Sequence, residues 1–120
     1  MTKNQLANLR QEIRHLTGRR FNLERTAMGF VPMLRASLLE RRFRRNGPAA
    51  YYLSIPNPAG TSRHRYVRKA DVELIRRQTD AWREFSQAMA EWVRVNKEVE
   101  GLLRRIGEGR CVKVDLEVIR

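Results

Sequence analysis

Arginine side chains dominate the middle of the chain, and three tyrosines lie among them. Residues 35–69 hold nine Lys or Arg and one acid, so this segment carries +8 of the chain's net charge of +12. The planar guanidinium group binds phosphate oxygens in pairs, and aromatic rings stack on nucleobases. The pattern therefore predicts a nucleic-acid-binding surface. We expect its contacts to come from Arg41, Arg42, Arg44, Arg45, Tyr52, Arg63, Arg65, Tyr66, Arg68 and Lys69.

The same charge has other interpretations, since an anionic membrane surface or an acidic protein partner also attracts a basic segment. The most apolar window, residues 27–39, contains Pro32 and Arg35 and is too short to span a bilayer. No N-terminal signal peptide is apparent, and a single cysteine, Cys111, fits a reducing compartment. We therefore expect a cytoplasmic protein with nucleic acid as its partner and no membrane partner. The pattern leaves DNA and RNA as open alternatives.

Catalytic chemistry finds little support in the sequence. His15 and His64 are the two histidines, and no His, Cys, Asp or Glu set has metal-ligand spacing. Neither a glycine-rich phosphate loop nor a serine nucleophile motif occurs. His64 lies between Arg63 and Arg65, which favours a surface or phosphate contact over a catalytic base. The sequence predicts a protein that is not an enzyme and needs no cofactor or metal.

A heptad pattern in the last third predicts association through a helix. Its spacings alternate three and four, as in helices that pack side by side. A buried Asn96 would favour one register and often a dimer, so we expect a homodimer or a helical protein partner. The alternative is that the same side chains form a monomer's core against the N-terminal helix. The pattern consists of Ile75, Gln78, Trp82, Phe85, Met89, Trp92, Asn96, Val99, Leu103 and Ile106.

The elements that position these residues predict an α+β fold. Apolar residues at helical spacing predict a short N-terminal helix over residues 3–17, which Gly18 ends. Residues 18–34 are expected to be a connector. The long helix is expected from about residue 71 to 106, with Asp71 as its cap and Gly107 at its end.

A small antiparallel sheet completes the predicted fold. Residues 50–68 predict a β-hairpin with its turn at residues 57–60. Alternating apolar and polar residues predict a C-terminal strand over residues 111–119, which would join the hairpin or extend a partner's sheet. Residues 35–45 fit either a helix or a strand.

These elements divide the chain into three regions of one structural domain. The first, residues 1–34, contains the N-terminal amphipathic helix and the connector. The second is the basic hairpin region, residues 35–69, and the third contains the long helix and C-terminal strand, residues 70–120. The last region has as many acids as bases, so the basic charge and the pairing pattern lie on different parts of the chain.

Three short motifs precede the long helix. They are Ala36-Ser37-Leu38-Leu39-Glu40, Gly47-Pro48-Ala49-Ala50-Tyr51-Tyr52-Leu53-Ser54 and Gly60-Thr61-Ser62-Arg63-His64-Arg65-Tyr66-Val67. In this order they resemble an uncharacterised family of short bacterial and archaeal proteins that are often encoded near transposases. The resemblance covers residues 35–103 and favours a strand over residues 36–43. The family's Cys-rich knuckle is replaced here by Arg44-Arg45-Asn46, so its metal site is not expected.

Together these patterns predict a nucleic-acid-binding accessory protein of a mobile-element or ribonucleoprotein assembly. The arginine-rich hairpin would hold phosphates, and the long helix would mediate association. The competing hypothesis is a structural adaptor, which binds a protein partner through the helical seam and the tail strand.

Overall fold

The fold is α+β, as the sequence predicts, in a computed structural model that describes residues 1–118. In chain order, one helix precedes and one follows a three-stranded antiparallel sheet of order β1-β2-β3. A short 3₁₀ turn, Lys69–Asp71, precedes the second helix. The elements are α1 (Lys3–Ala27), β1 (Ser37–Arg41), β2 (Ala50–Pro56), β3 (Ser62–Val67) and α2 (Val72–Arg110).

The chain forms two compact units. The helical unit combines Met1–Arg25 with the chain from Met89 onward. The sheet unit, Thr26–Ala88, contains the three strands and the first part of α2. Each unit has its own cluster of buried apolar side chains.

Helix α1 begins with a capping box. The backbone N–H of Gln5 donates to Oγ1 of Thr2, and the N–H of Thr2 donates to Oε1 of Gln5, so two free donors at the helix start are satisfied. The predicted end at Gly18 is wrong, because the helix continues to Ala27. A mid-helix glycine costs about 1 kcal/mol relative to alanine. Buried Leu16 and half-buried Leu23 pack on either side of Gly18 and offset that cost.

The predicted hairpin is confirmed as β2 and β3. Its turn contains Gly60 with a φ of 86°, a conformation that glycine adopts without steric cost. The third strand is β1, which settles the ambiguity of residues 35–45 in favour of a strand. Strand β1 pairs with β2 with Leu38 opposite Leu53, and β2 pairs with β3 with Tyr52 opposite Tyr66.

One face of the sheet forms the core of the sheet unit. Leu53 and Val67 are buried there, together with Val72 at the start of α2. Leu38, Tyr51 and Ile55 come from the same face, as the period-two alternation of strands requires. The opposite face of the sheet therefore has a different role.

In the helical unit, α1 packs on the second part of α2. Leu9 and Leu16 form a buried cluster with side chains from α2. The α2 positions in this cluster are Val95, Val99 and Leu102, with half-buried Ile106. Spacings of four, three and four show that this is a heptad seam, used within one chain.

The predicted and observed seams share Val99 and Ile106, but at the alternate positions the observed seam uses the residue one place earlier in the sequence. The predicted positions Asn96 and Leu103 are exposed, and their neighbours Val95 and Leu102 are buried instead. Helix α2 also extends past Gly107 to Arg110. Asn96 is therefore not a buried polar residue of the seam; its Oδ1 accepts a hydrogen bond of 3.0 Å from Nη1 of Arg20.

The predicted C-terminal strand is absent from the described part of the tail. Residues 111–118 form no ladder, and a turn closes at Asp115, where the N–H of Val118 donates to the carbonyl of Asp115. Residue 119, the last of the predicted strand, lies outside the described residues. Cys111 is the first residue after α2. Its Sγ lies 3.3 Å from the Gly107 carbonyl oxygen, and the thiol is exposed. A lone strand lacks the ladder partners that stabilise it, so alternation alone was insufficient.

Candidate nucleic-acid interface

The outer face of the sheet carries a pair of tyrosines. Tyr52 on β2 lies directly opposite Tyr66 on β3, and directly opposed side chains in an antiparallel pair share a face. Their ring centroids are 5.8 Å apart with an interplanar angle of 74°, an edge-to-face contact. Tyr66 is 63% exposed, so most of its ring is open to solvent.

Arg41 and His64 extend this pair. The guanidinium carbon of Arg41 lies 5.5 Å from the Tyr52 ring centroid, a cation–π distance. Nη2 of Arg41 is 3.3 Å from Nδ1 of His64. His64 lies on the same face of β3 as Tyr66, two residues earlier. We call the four residues Arg41, Tyr52, His64 and Tyr66 the tyrosine face.

The tyrosine face combines the two chemistries that single-stranded nucleic acid requires. A base can stack on an exposed aromatic ring or on a guanidinium plane, and the same guanidinium can donate to a phosphate. Holding Arg41 against the Tyr52 ring orders its side chain before a ligand arrives, which lowers the entropy cost of binding.

Arg63 and Arg65 lie on the opposite face of β3. Their partners on β2 are Ile55 and Leu53, which belong to the core face. Both arginines are nevertheless exposed, because β3 is at the edge of the sheet. Among residues 1–118, neither has an acidic side chain within ion-pair distance. They provide free positive charge, but not beside the tyrosine rings.

The loop between β1 and β2 carries three of the predicted arginines. Arg42 is held by its own loop: Nη1 donates to the Gly47 carbonyl at 2.9 Å, and Nη2 forms an ion pair with Glu40 at 3.1 Å. Arg44 and Arg45 are exposed and, within the described chain, form no ion pair. Arg42 therefore shapes the loop, and the other two are available to a ligand.

Phe43 is a candidate site residue that sequence reasoning missed. Its side chain is 76% exposed in the middle of this arginine loop. An exposed aromatic ring among cations is suited to stacking on or wedging between bases. The signal that could have found it is an aromatic residue among four arginines, at residues 41–45.

The last two predicted residues follow β3. Arg68 is exposed and its Nε lies 3.4 Å from Oδ2 of Asp71, so its charge is partly matched. Lys69 is exposed at the start of the 3₁₀ turn. The ten predicted residues thus occupy four places: the tyrosine face, the β3 edge, the β1–β2 loop and the segment after β3.

The predicted association residues also separate. In the sheet unit, Ile75 packs on the core, and Trp82 and Phe85 stack with their ring centroids 5.8 Å apart. In the helical unit, Val99 is buried and Trp92 Nε1 donates to Glu24 Oε1 at 2.9 Å. The association residues left exposed on α2 are Met89, Asn96 and Leu103.

Comparison with known protein families, curated proteins and solved structures finds no match to this chain. The resemblance to the mobile-element family therefore stays a prediction. Within residues 1–118 no group of three or more His, Cys, Asp or Glu is placed to hold a metal ion. Neither helix of the described chain has an apolar stretch long enough to cross a membrane.

Proposed function

We propose that this protein is a non-enzymatic nucleic-acid-binding accessory protein that recognises single-stranded segments. The observation that carries this proposal is the tyrosine face, an open sheet surface where Arg41 lies on the Tyr52 ring beside the exposed Tyr66. Sheets with exposed aromatic residues and arginines grip unstacked bases, whereas a paired duplex keeps the faces of its bases covered.

Charge in the sheet unit supports the proposal. Residues 26–88 hold twelve Lys or Arg and five acids, a net charge of +7. Such a field raises the association rate with a polyanion and makes affinity fall with salt. Four exposed arginines have no acidic partner among the described residues and would contact phosphates. They are Arg44, Arg45, Arg63 and Arg65.

Phe43 and the tyrosine face would have different tasks near the C-terminal end of β1. Arg41 is the last residue of β1, and Phe43 follows two positions later in the loop. A strand that stacks on Tyr66 and Arg41 would meet Phe43 next as it leaves the sheet. The loop arginines would then hold the phosphates on either side of that ring.

The wider setting of this activity is also a proposal. The resemblance favours an assembly connected with mobile elements, in the cytoplasm. Association with another helical chain would use the exposed α2 residues Met89, Asn96 and Leu103, because the other members of the pattern are packed or partly buried within the chain.

A direct binding measurement tests the proposed function. Protein freed of nucleic acid by nuclease and high salt would be titrated into labelled single-stranded RNA, single-stranded DNA and duplex DNA across a salt series. Submicromolar binding at physiological salt with preference for a single strand supports the proposal. Equal, weak binding to all three polymers, lost at physiological salt, would overturn it.

The adaptor alternative draws on a separate observation. The tail exposes Val112, Val114, Leu116 and Val118 to solvent. An adaptor would bury these side chains on a partner, with the basic sheet unit meeting an acidic surface. The same titration separates the two functions, since an adaptor has no preference among nucleic acids.

A further inference from the structure

The outer face of the sheet carries a pair of uncharged polar side chains beside the two tyrosines. Ser54 on β2 lies directly opposite His64 on β3, next to the pair that Tyr52 and Tyr66 form. Residues two apart along a strand point to the same face, so all four side chains share this surface. His64 is exposed and Ser54 is half-buried. A ligand that stacks on Tyr66 therefore has Ser54 and His64 beside it.

The contact with Arg41 decides which nitrogen of His64 carries the proton. A guanidinium group has N–H donors and no acceptor. Nη2 of Arg41 lies 3.3 Å from Nδ1 of His64, so Nδ1 accepts this hydrogen bond. In a neutral imidazole the other nitrogen, Nε2, then carries the proton and is a donor. Within residues 1–118 this Nε2–H has no acceptor, so it is available to a ligand.

Ser54 supplies the complementary group. Its hydroxyl forms no hydrogen bond within the described part of the chain, and a hydroxyl can both donate and accept. Its cross-strand neighbours on this face are Ser37 and His64, so no carboxylate is directly opposite it. One fixed donor and one adaptable hydroxyl suit a small neutral group that itself donates and accepts a hydrogen bond.

We propose that Ser54 and His64 bind the 2′-hydroxyl of a ribose, so that the tyrosine face prefers single-stranded RNA to single-stranded DNA. This inference rests on the proposed function, since it requires a base stacked on the face. The 2′-hydroxyl is both a donor and an acceptor, and it is the group by which a protein distinguishes RNA from DNA. Nε2–H of His64 would donate to its oxygen, and the 2′-hydroxyl would donate to Oγ of Ser54.

The spacing of the sheet fits one nucleotide. Successive side chains on one face of a strand are about 6.7 Å apart, and neighbouring strands are about 4.8 Å apart. The sugar is bonded directly to the base, so a base on Tyr66 brings its ribose within about one such step. His64 is one step away on β3, and Ser54 lies across from it on β2. A deoxyribose in this place would make neither hydrogen bond.

Sugar-modified oligonucleotides of one sequence test the inference. Fluorescence anisotropy would compare single-stranded RNA with DNA that contains uracil in place of thymine, so that the two strands differ at the 2′ position alone. We expect the wild-type protein to bind the RNA about tenfold more tightly, because two hydrogen bonds are added. RNA methylated at its 2′ oxygens cannot donate to Ser54 and should bind more weakly than unmodified RNA.

The same titration separates this inference from the function on which it rests. Submicromolar and equal binding of RNA and DNA would overturn the preference for RNA and leave the proposed function standing. Absence of binding to either strand would overturn both.

Variants assign the preference to the two residues. Ser54→Ala and His64→Phe should each lower the ratio of RNA to DNA affinity by about three- to tenfold. His64→Gln keeps an acceptor for Arg41 and an N–H donor, so it should retain most of the ratio. The matched control is Ser62→Ala, on the same face of β3 but four residues from Tyr66, which should leave the ratio unchanged. An unchanged ratio in Ser54→Ala and His64→Phe, or an equal loss in Ser62→Ala, would overturn the proposal.

Discussion

The guanidinium carbon of Arg41 lies 5.5 Å from the ring centroid of Tyr52, on the open face of the sheet. The contact joins a cation to an aromatic ring that is itself in edge contact with Tyr66. Two stacking surfaces and one phosphate donor are therefore held by adjacent strands. This arrangement gives the proposed function its most direct tests.

Loss of the exposed ring should weaken binding of a single strand. Tyr66→Ala removes one stacking surface, and we expect affinity for a single-stranded oligonucleotide to fall roughly 5- to 150-fold, from about 1–3 kcal/mol per stacked base. Tyr66→Phe keeps the ring and should bind close to wild type. Fluorescence anisotropy of a labelled oligonucleotide measures both. An alanine variant that binds like the phenylalanine variant would remove Tyr66 from the interface.

The β3 arginines should act through phosphates. In the double variant Arg63→Ala and Arg65→Ala, we expect weaker binding to every sequence and a salt dependence flatter by about 1.4 in the logarithmic slope for a single strand, since two phosphate contacts are lost. The measurement is affinity across a salt series.

A matched control for this variant lies on α1. Arg10 and Arg14 are exposed there and, within the described chain, have no ion-pair partner. Their double alanine variant loses the same charge and should keep the wild-type slope. Equal changes in both double variants would show general attraction instead of a site.

Neighbouring leucines on α2 should differ in stability. Leu102 is 7% exposed and packs in the cluster with α1, whereas Leu103 is 54% exposed. We expect Leu102→Ala to lower the free energy of unfolding by about 2–5 kcal/mol. Leu103→Ala should change it by about 0.5 kcal/mol or less. Urea unfolding measures both, and a larger loss at Leu103 would mean that the predicted heptad positions form the seam.

The hydrogen bond of Trp92 should depend on its acceptor. Trp92 Nε1 donates to Glu24 at 2.9 Å in a partly buried setting, and Glu24→Ala leaves the indole N–H without that acceptor. We expect a loss of about 1–3 kcal/mol in the free energy of unfolding. Glu24→Gln retains a carbonyl oxygen and should recover most of it. Equal unfolding curves for the two variants would argue against the bond.

Much of the sheet unit could be predicted from the sequence. The hairpin has a run of strand-forming residues, a turn with Gly60 and a returning strand, so local signals agree with the fold. Strand β1 was ambiguous because five residues are too few for periodicity to decide. Its partner β2 settles the matter, and pairing between strands is not visible in either segment alone.

The helical unit shows where patterns fail. Two apolar series run along α2, one through Val95 and Leu102 and the other through Asn96 and Leu103, and both share Val99. The series without the asparagine is the one that packs on α1, because burying the polar side chain of Asn96 would cost free energy that burying Val95 does not. Gly18 was predicted to end α1, but tertiary packing again decided the outcome. Leu16 and Leu23, on either side of Gly18, pack in the helical unit and outweigh the local stop signal.

The candidate site was predicted in composition but not in arrangement. Arginines and tyrosines were identified, yet strand alternation puts Arg63 and Arg65 on the face away from Tyr66. Phe43 was missed because residues 35–45 fitted either a helix or a strand, so the sequence did not place it in a loop beyond β1. Residue type indicates the chemistry of a surface, whereas the register decides which groups can act together.

The two arginines on the edge of β3 also have a consequence for solubility. If two copies met edge to edge along β3, these guanidinium groups would approach one another across the new pairing and repel. Like charges on an exposed edge therefore oppose aggregation through edge-to-edge strand pairing. Replacing both arginines would remove this repulsion. We therefore expect the variant without Arg63 and Arg65 to precipitate at a lower concentration than the wild-type protein.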